Sequence, residues 1–146
     1  MKGRWLIISG AIVLAGFTAV LWWTQTRAYY FNLPETDRIT VSDRAILVEQ
    51  FVGIDAASSP IKLRACMTLD PAGLDGVEPS DAATPLTPPP WFDCFDAKTL
   101  TRDLESGDAT AYLAASDEFD GSRRFVAVYP DGRAYMWRQL SEEFSR

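Results

Sequence analysis

The pattern of apolar and polar positions splits the chain into one unbroken apolar run and a longer series of short alternating segments. The run is Trp5–Trp23, nineteen residues without a charge. As a helix rising ~1.5 Å per residue it would be roughly 28 Å long, close to the ~30 Å hydrocarbon core of a bilayer. Lys2 and Arg4 precede it, and Trp22, Trp23, Arg27, Tyr29, Tyr30 and Phe31 close it, as amphipathic rings and cations do at a membrane interface. The run therefore predicts a transmembrane helix over 5–23, residues 1–4 outside it, and a juxtamembrane tether over 24–43. It is longer than the apolar core of a removable secretory signal. It also ends in two tryptophans, and Thr26-Arg27-Ala28 is a poor small-residue cleavage site. An uncleaved anchor is expected, with the lipid bilayer as its surroundings.

Beyond residue 43 the periodicity shortens. Ala45–Ile54 is dense in strand formers. In Ile61–Leu69 the odd positions Ile61, Leu63, Ala65, Met67 and Leu69 share one face, and Lys62, Arg64, Cys66 and Thr68 share the other. Asp70–Pro90 carries six prolines and reads as a long irregular loop, ending in the stiff run Pro88-Pro89-Pro90. The aromatic run Trp91-Phe92-Asp93-Cys94-Phe95-Asp96 predicts a buried corner. A helix over Ala97–Ser106 follows from Asp96 as N-cap, Leu100 and Leu104 on one face, and Gly107 as the stop.

Ala109–Ala115 is a strand candidate and Ser116–Ser122 an acidic turn. Arg123–Tyr129 and Arg133–Leu140 flank Pro130-Asp131-Gly132, the chemistry of a tight hairpin turn. The tail 141–146 is expected to fray. The order gives an α+β domain over 44–140, a mostly antiparallel sheet with one helix.

Charge and cysteines narrow the surroundings. Setting aside Lys2, Arg4 and Arg27, eleven of the fourteen basic residues remain against twenty acidic ones, a net charge of −9. Such a surface excludes nucleic acid, which needs a basic footprint. Flanking cations orient the anchor with its N-terminus cytoplasmic and the domain outside. Cys66 and Cys94 complete the cysteine set, and in an exported domain they are expected to form one disulfide.

Three runs carry a resemblance: Phe51–Cys66, Pro88–Ala97 with its Trp-Phe-Asp-Cys-Phe-Asp core, and Pro130–Trp137. With the anchor, they resemble a family of small single-pass bacterial membrane proteins of unknown function, some labelled histidine kinase. The label does not suit this chain, which has no histidine to phosphorylate. The resemblance implies a bacterial inner membrane with a periplasmic domain, and it implies no activity.

The search for chemistry returns no catalytic residue, no metal ligand set and no cofactor site. Without histidine, Ser-His-Asp and Cys-His arrangements are excluded. Ser59-Pro60-Ile61-Lys62 matches a Ser-x-x-Lys pattern, but that pattern needs a helix and Pro60 opposes one. The carboxylates of Asp70, Asp75 and Glu78, and of Asp117, Glu118 and Asp120, lack the spacing that converges on calcium. Asp93 and Asp96 are explained by a local turn and a cap.

Two features look suited to a partner. Ala11, Ala15 and Ala19 form a small-residue stripe on the anchor, a face that lets another membrane helix approach. Trp91 and Phe92 stand at the end of the proline-rich loop. The expectation is a non-enzymatic accessory or assembly subunit of a larger inner-membrane protein complex. The alternatives are a periplasmic ligand-binding or sensory domain, which needs a pocket lined by Trp91, Phe95 or Trp137, and a hydrolase, which needs Asp70, Asp75, Asp93 and Asp96 to converge.

Overall fold

A computed structural model describes residues 2–142 of the chain. Helix α1 runs Lys2–Trp23 and continues through a π-helical turn, Thr24–Ala28. None of its residues is buried. Trp5, Leu6, Ile7, Ile12, Val13, Leu14, Phe17, Val20, Trp22 and Trp23 are all exposed, so apolar side chains cover every side of it. By length and composition the segment Lys2–Ala28 can cross a membrane.

The stretch read as a tether, 24–43, is largely structured. After Tyr29 the chain enters β1 (Tyr30–Asn32), and β2 (Arg38–Val41) follows. Both pair antiparallel with the same long strand, β3 (Arg44–Ala56). Sequence periodicity placed that strand at 45–54. Its thirteen residues bend at Gln50, where φ is +54° and the register with β4 shifts between Glu49 and Val52. A bulge of this kind sharpens the twist. The far half of β3 takes β1 (Tyr30 opposite Ala56) and the near half takes β2 (Val41 opposite Arg44).

The remaining strands are β4 (Arg64–Leu69), β5 (Thr110–Ser116), β6 (Ser122–Val128) and β7 (Arg133–Leu140). The order is β1-β3-β4-β7-β6-β5, antiparallel throughout, with β2 also on β3. The bend in β3 carries the β2–β3 turn across to β5. There Ser42 donates its N–H to the Ala114 carbonyl (3.0 Å) and its hydroxyl to that of Leu113 (2.7 Å). The sheet thus curls back on itself. Its inner face holds one core, including Ile39, Val41, Ile46, Val48, Ala65, Met67, Val126 and Met136.

The outer face holds a second core of Ile54, Phe92, Phe95, Leu100, Phe125, Ala127 and Trp137. Helix α2 (Ala97–Ser106) supplies Ala97 and Leu100 to it. Its bounds follow from local signals: Asp96 accepts the Thr99 N–H at 3.1 Å, and Gly107 takes φ +86°. The β6–β7 turn is equally local. Gly132, at φ +95°, donates to Tyr129 (3.0 Å), and Leu69 donates to the Gly132 carbonyl (2.9 Å). A Cβ at Gly132 would lie 2.6 Å from the Leu69 carbonyl oxygen, so only glycine fits.

Three further expectations change. The strand foreseen from Ile61 begins at Arg64, because Pro60-Ile61 turns and Arg64 binds the carbonyls of Ile61 and Leu63. The 70–90 loop contains a 3₁₀ turn, Pro71–Leu74, capped by Asp70 and burying Leu74, and a bridge from Pro79 to Tyr112. In the tail, Ser141 is buried and donates to the Gly121 carbonyl at 2.7 Å, while residues 143–146 lie outside those described.

Candidate functional site

The predicted interaction residues fall in three different settings. Ala11, Ala15 and Ala19 lie on α1 with their neighbours Gly10 and Gly16, and no other part of the chain approaches those glycines within 4 Å of an added Cβ. Phe92 is buried in the outer core and presents no contact surface, because the disulfide draws the loop onto the sheet. Trp91 is half-buried, and its partners lie at the end of α1 and on β1.

That junction joins the helix to the domain. The Trp91 indole N–H donates to the carbonyl oxygen of Thr26. Its ring meets Tyr30 edge-to-face at 5.6 Å, and the Arg27 guanidinium lies 5.3 Å from its centroid. On the other side of Tyr30, the Lys62 ammonium is 5.0 Å from the ring. Burial raises the Tyr30 pKa, partly offset by the charge of Arg64. Aromatic edges and cations of this kind hold the end of α1, β1 and the proline-rich loop together.

The disulfide and one arginine keep that loop in place. Cys66 on β4 bonds Cys94, with Cα atoms 6.3 Å apart. Arg64, two residues earlier on the same face, is buried under the loop. Its guanidinium donates to the carbonyls of Leu86 (2.8 Å), Ile61 (2.7 Å), Leu63 (2.6 Å) and Thr87 (3.3 Å), and it packs 5.8 Å from the Phe95 ring. Burial pulls its pKa down to about 10, which leaves it charged at neutral pH.

A second brace went unforeseen. Arg138 on β7 contacts Asp55 (3.3 Å) and Glu118 (3.4 Å), donates to the Pro60 carbonyl (3.1 Å), and lies 4.7 Å from the Phe119 ring. Its cross-strand neighbour Arg124 has Nε 2.9 Å from Glu118, an ion pair without hydrogen-bond alignment. Burial lowers the Arg124 pKa, and Glu118 opposes that effect. Two arginines share two carboxylates, so the cluster is internally neutralised. The acidic turn Ser116–Ser122 had given no signal of it beyond Glu118.

The carboxylates expected of a hydrolase disperse. Asp70 and Asp96 each cap a helical turn, and Asp70, Asp75, Asp93 and Asp96 are all exposed. Among the described residues, no group of three or more His, Cys, Asp or Glu side chains can hold a metal ion. Ser59 accepts the Ile61 N–H at 3.4 Å within a turn, while Lys62 faces Tyr30. An open groove of about 770 Å³ separates the proline-rich loop from α2 and β5, lined by Glu78, Asp81, Thr101, Leu104, Glu105 and Thr110 among others. Trp91, Phe95 and Trp137 are not part of its wall, and the last two fill the outer core.

Comparison with known proteins adds one match. Residues 35–145 fit the model described as "Family of unknown function (DUF6446)". The matched span begins after β1 and includes both cysteines and α2. No curated protein and no solved structure matches the chain.

Proposed function

We propose that this chain, which belongs to the DUF6446 family of unknown function, is a non-enzymatic single-pass membrane subunit. The anchor α1 crosses the inner membrane of a bacterium with its N-terminus in the cytoplasm, and the disulfide-bonded domain stands in the periplasm. There it serves as an accessory or assembly subunit of a larger membrane protein complex.

The observation that carries the reading is the solvation of α1. A helix apolar on every face, with none of its residues buried by its own chain, favours a non-aqueous surrounding. Its retention is supported at the other end, where Trp91 holds Thr26 and β1 begins two residues after Ala28. Removal of the helix near Ala28 would strip Trp91 of that partner. A partner is supported by the alanine stripe Ala11/Ala15/Ala19, across which helix backbones can pack closely. Non-enzymatic function is supported by the dispersed carboxylates and by the use of both buried arginine clusters as internal braces.

Extraction of the tagged full chain from membranes in a gentle detergent, followed by mass spectrometry of what accompanies it, tests the subunit role. Stoichiometric recovery of another membrane protein, reduced when Ala15 is replaced by leucine, is the expected result. Recovery only as a free monomer contradicts it.

A further inference from the structure

We infer that one defined face of the domain, built from Trp91, Tyr30, Lys62 and the end of α1, sits directly on the lipid headgroups. The inference rests on the anchor reading and goes beyond it. A tethered domain would have no preferred orientation, whereas this one is docked on a specific side.

The argument begins with distance along the helix. The apolar run ends at Trp23, and Thr26 is three residues further, roughly 5 Å at ~1.5 Å per residue. The headgroup layer on each side of a bilayer is roughly 5–8 Å thick. A side chain bonded to the Thr26 carbonyl therefore lies within or at the edge of that layer. Trp91 is that side chain, and an indole is well suited to it, with an apolar body and one polar N–H.

The second observation is continuity. No free linker separates helix from sheet: Thr24–Ala28 is a π-helical turn, and β1 pairs with β3 from Tyr30 onward. Trp91 grips both Thr26 and Tyr30, and the disulfide ties its loop to β4 three residues later. The orientation of the domain is set by contacts across sixty-five residues of sequence.

Charge is the third. Outside the membrane run the chain is strongly acidic, yet the cations at this junction are Arg27 against Trp91 and Lys62 against Tyr30. Two cations beside exposed Tyr29 and Phe31 match a surface of phosphate headgroups. Two acids lie near this pair: exposed Asp93, two residues from Trp91, and Asp55, opposite Phe31 in the β1–β3 register and ion-paired with Arg138. The bulk of the acidic residues would be repelled by an anionic leaflet, which favours this side over others.

The test uses the isotope-labelled full chain in nanodiscs of phosphatidylethanolamine and phosphatidylglycerol, with a gadolinium chelate on a fraction of the headgroups. Nuclear magnetic resonance reads the distance-dependent broadening. The inference expects strong loss of the Trp91 indole and the Tyr30 and Lys62 amide signals, with Asp131 and Gly132 at the other end of β7 preserved. The Trp91→Phe variant assigns the indole signal. Broadening that is uniform, or strongest at Asp131 and Gly132, in a chain that remains in the disc overturns the docked face while leaving the anchor. A chain that does not enter the disc overturns the anchor reading as well.

Discussion

Trp91 donates its indole N–H to the carbonyl oxygen of Thr26, joining the end of α1 to the loop that the disulfide holds against the sheet. Arg27, itself exposed, has its guanidinium 5.3 Å from the centroid of the same ring, so cleavage after it reports on this contact. In Trp91→Phe the ring remains against Tyr30 but the hydrogen bond is gone, a loss of about 1 kcal/mol. Local opening then becomes about fivefold more frequent. Trypsin cleavage after Arg27, followed by intact mass in detergent, is expected to accelerate by that order, with the melting temperature of the domain little changed.

Arg64 fixes the loop from beneath by meeting four carbonyl oxygens. Arg64→Met leaves those acceptors without their donor and is expected to cost about 3 kcal/mol. Lysine does not restore the loss, because a single ammonium cannot reproduce the spread of the guanidinium. Thermal unfolding of the full chain in micelles measures both.

Opening the Cys66–Cys94 bond releases a loop with a sequence separation of 28 residues. Chain entropy puts the loss at roughly 3.5 kcal/mol. Unfolding of the Cys66→Ser/Cys94→Ser double variant is expected to show a loss of that order relative to the oxidised chain.

Tyr129 is buried and gives its hydroxyl proton to Asp103 at 2.6 Å. Burial, followed by the hydrogen bond to Asp103, raises its pKa well above the ordinary value of 10.0. A raised folded pKa means that the stabilisation is complete below pH 10 and is lost as the pH rises beyond it, because the unfolded chain ionises first. Tyr129→Phe should be about 1–2 kcal/mol less stable at neutral pH. Its stability should also fall less steeply than that of the unmodified chain in alkaline titrations monitored by circular dichroism.

Two glycines with similar backbone angles separate conformation from contact. Gly107 and Gly132 have φ of +86° and +95°, but a Cβ meets nothing at the first and the Leu69 carbonyl oxygen at 2.6 Å at the second. Gly107→Ala is expected to cost about 1 kcal/mol from conformation alone. Gly132→Ala should cost more than that, since the β4–β7 contact must also shift. Paired thermal melts compare them.

What could be read from the sequence was local. The bounds of α2 follow from Asp96 and Gly107, and the β6–β7 hairpin from Pro130-Asp131-Gly132, because each signal acts within a few residues. β1 and β2 were taken for tether. They are three and four residues long, too short for a period, and they become strands only because β3 offers an edge long enough for both. Tyr30 and Phe31 read as an interfacial belt, and the contact of Tyr30 with Trp91, sixty-one residues further along the chain, had no local signal.

The setting of the candidate residues was likewise not local. The run Trp91–Asp96 read both as a buried corner and as a contact surface, and the fold divides the two, with Phe92 in the outer core and Trp91 half-buried. Arg64 shares a face with Lys62 in the alternating pattern, but only the folded loop decides that one is buried and the other partly exposed. Arg138, Asp55 and Glu118 come from three separate strands and turns, and no spacing unites them.

The central claim is an uncleaved anchor carrying its domain on the far side of the membrane. Spheroplasts expressing the full chain, treated with protease and then washed in alkaline carbonate, test it most directly by intact mass. The account predicts a full-length chain that stays with the membrane before protease, and loss of the domain to externally added protease. A shortened chain released by carbonate, or a domain protected until the spheroplasts are lysed, would contradict it.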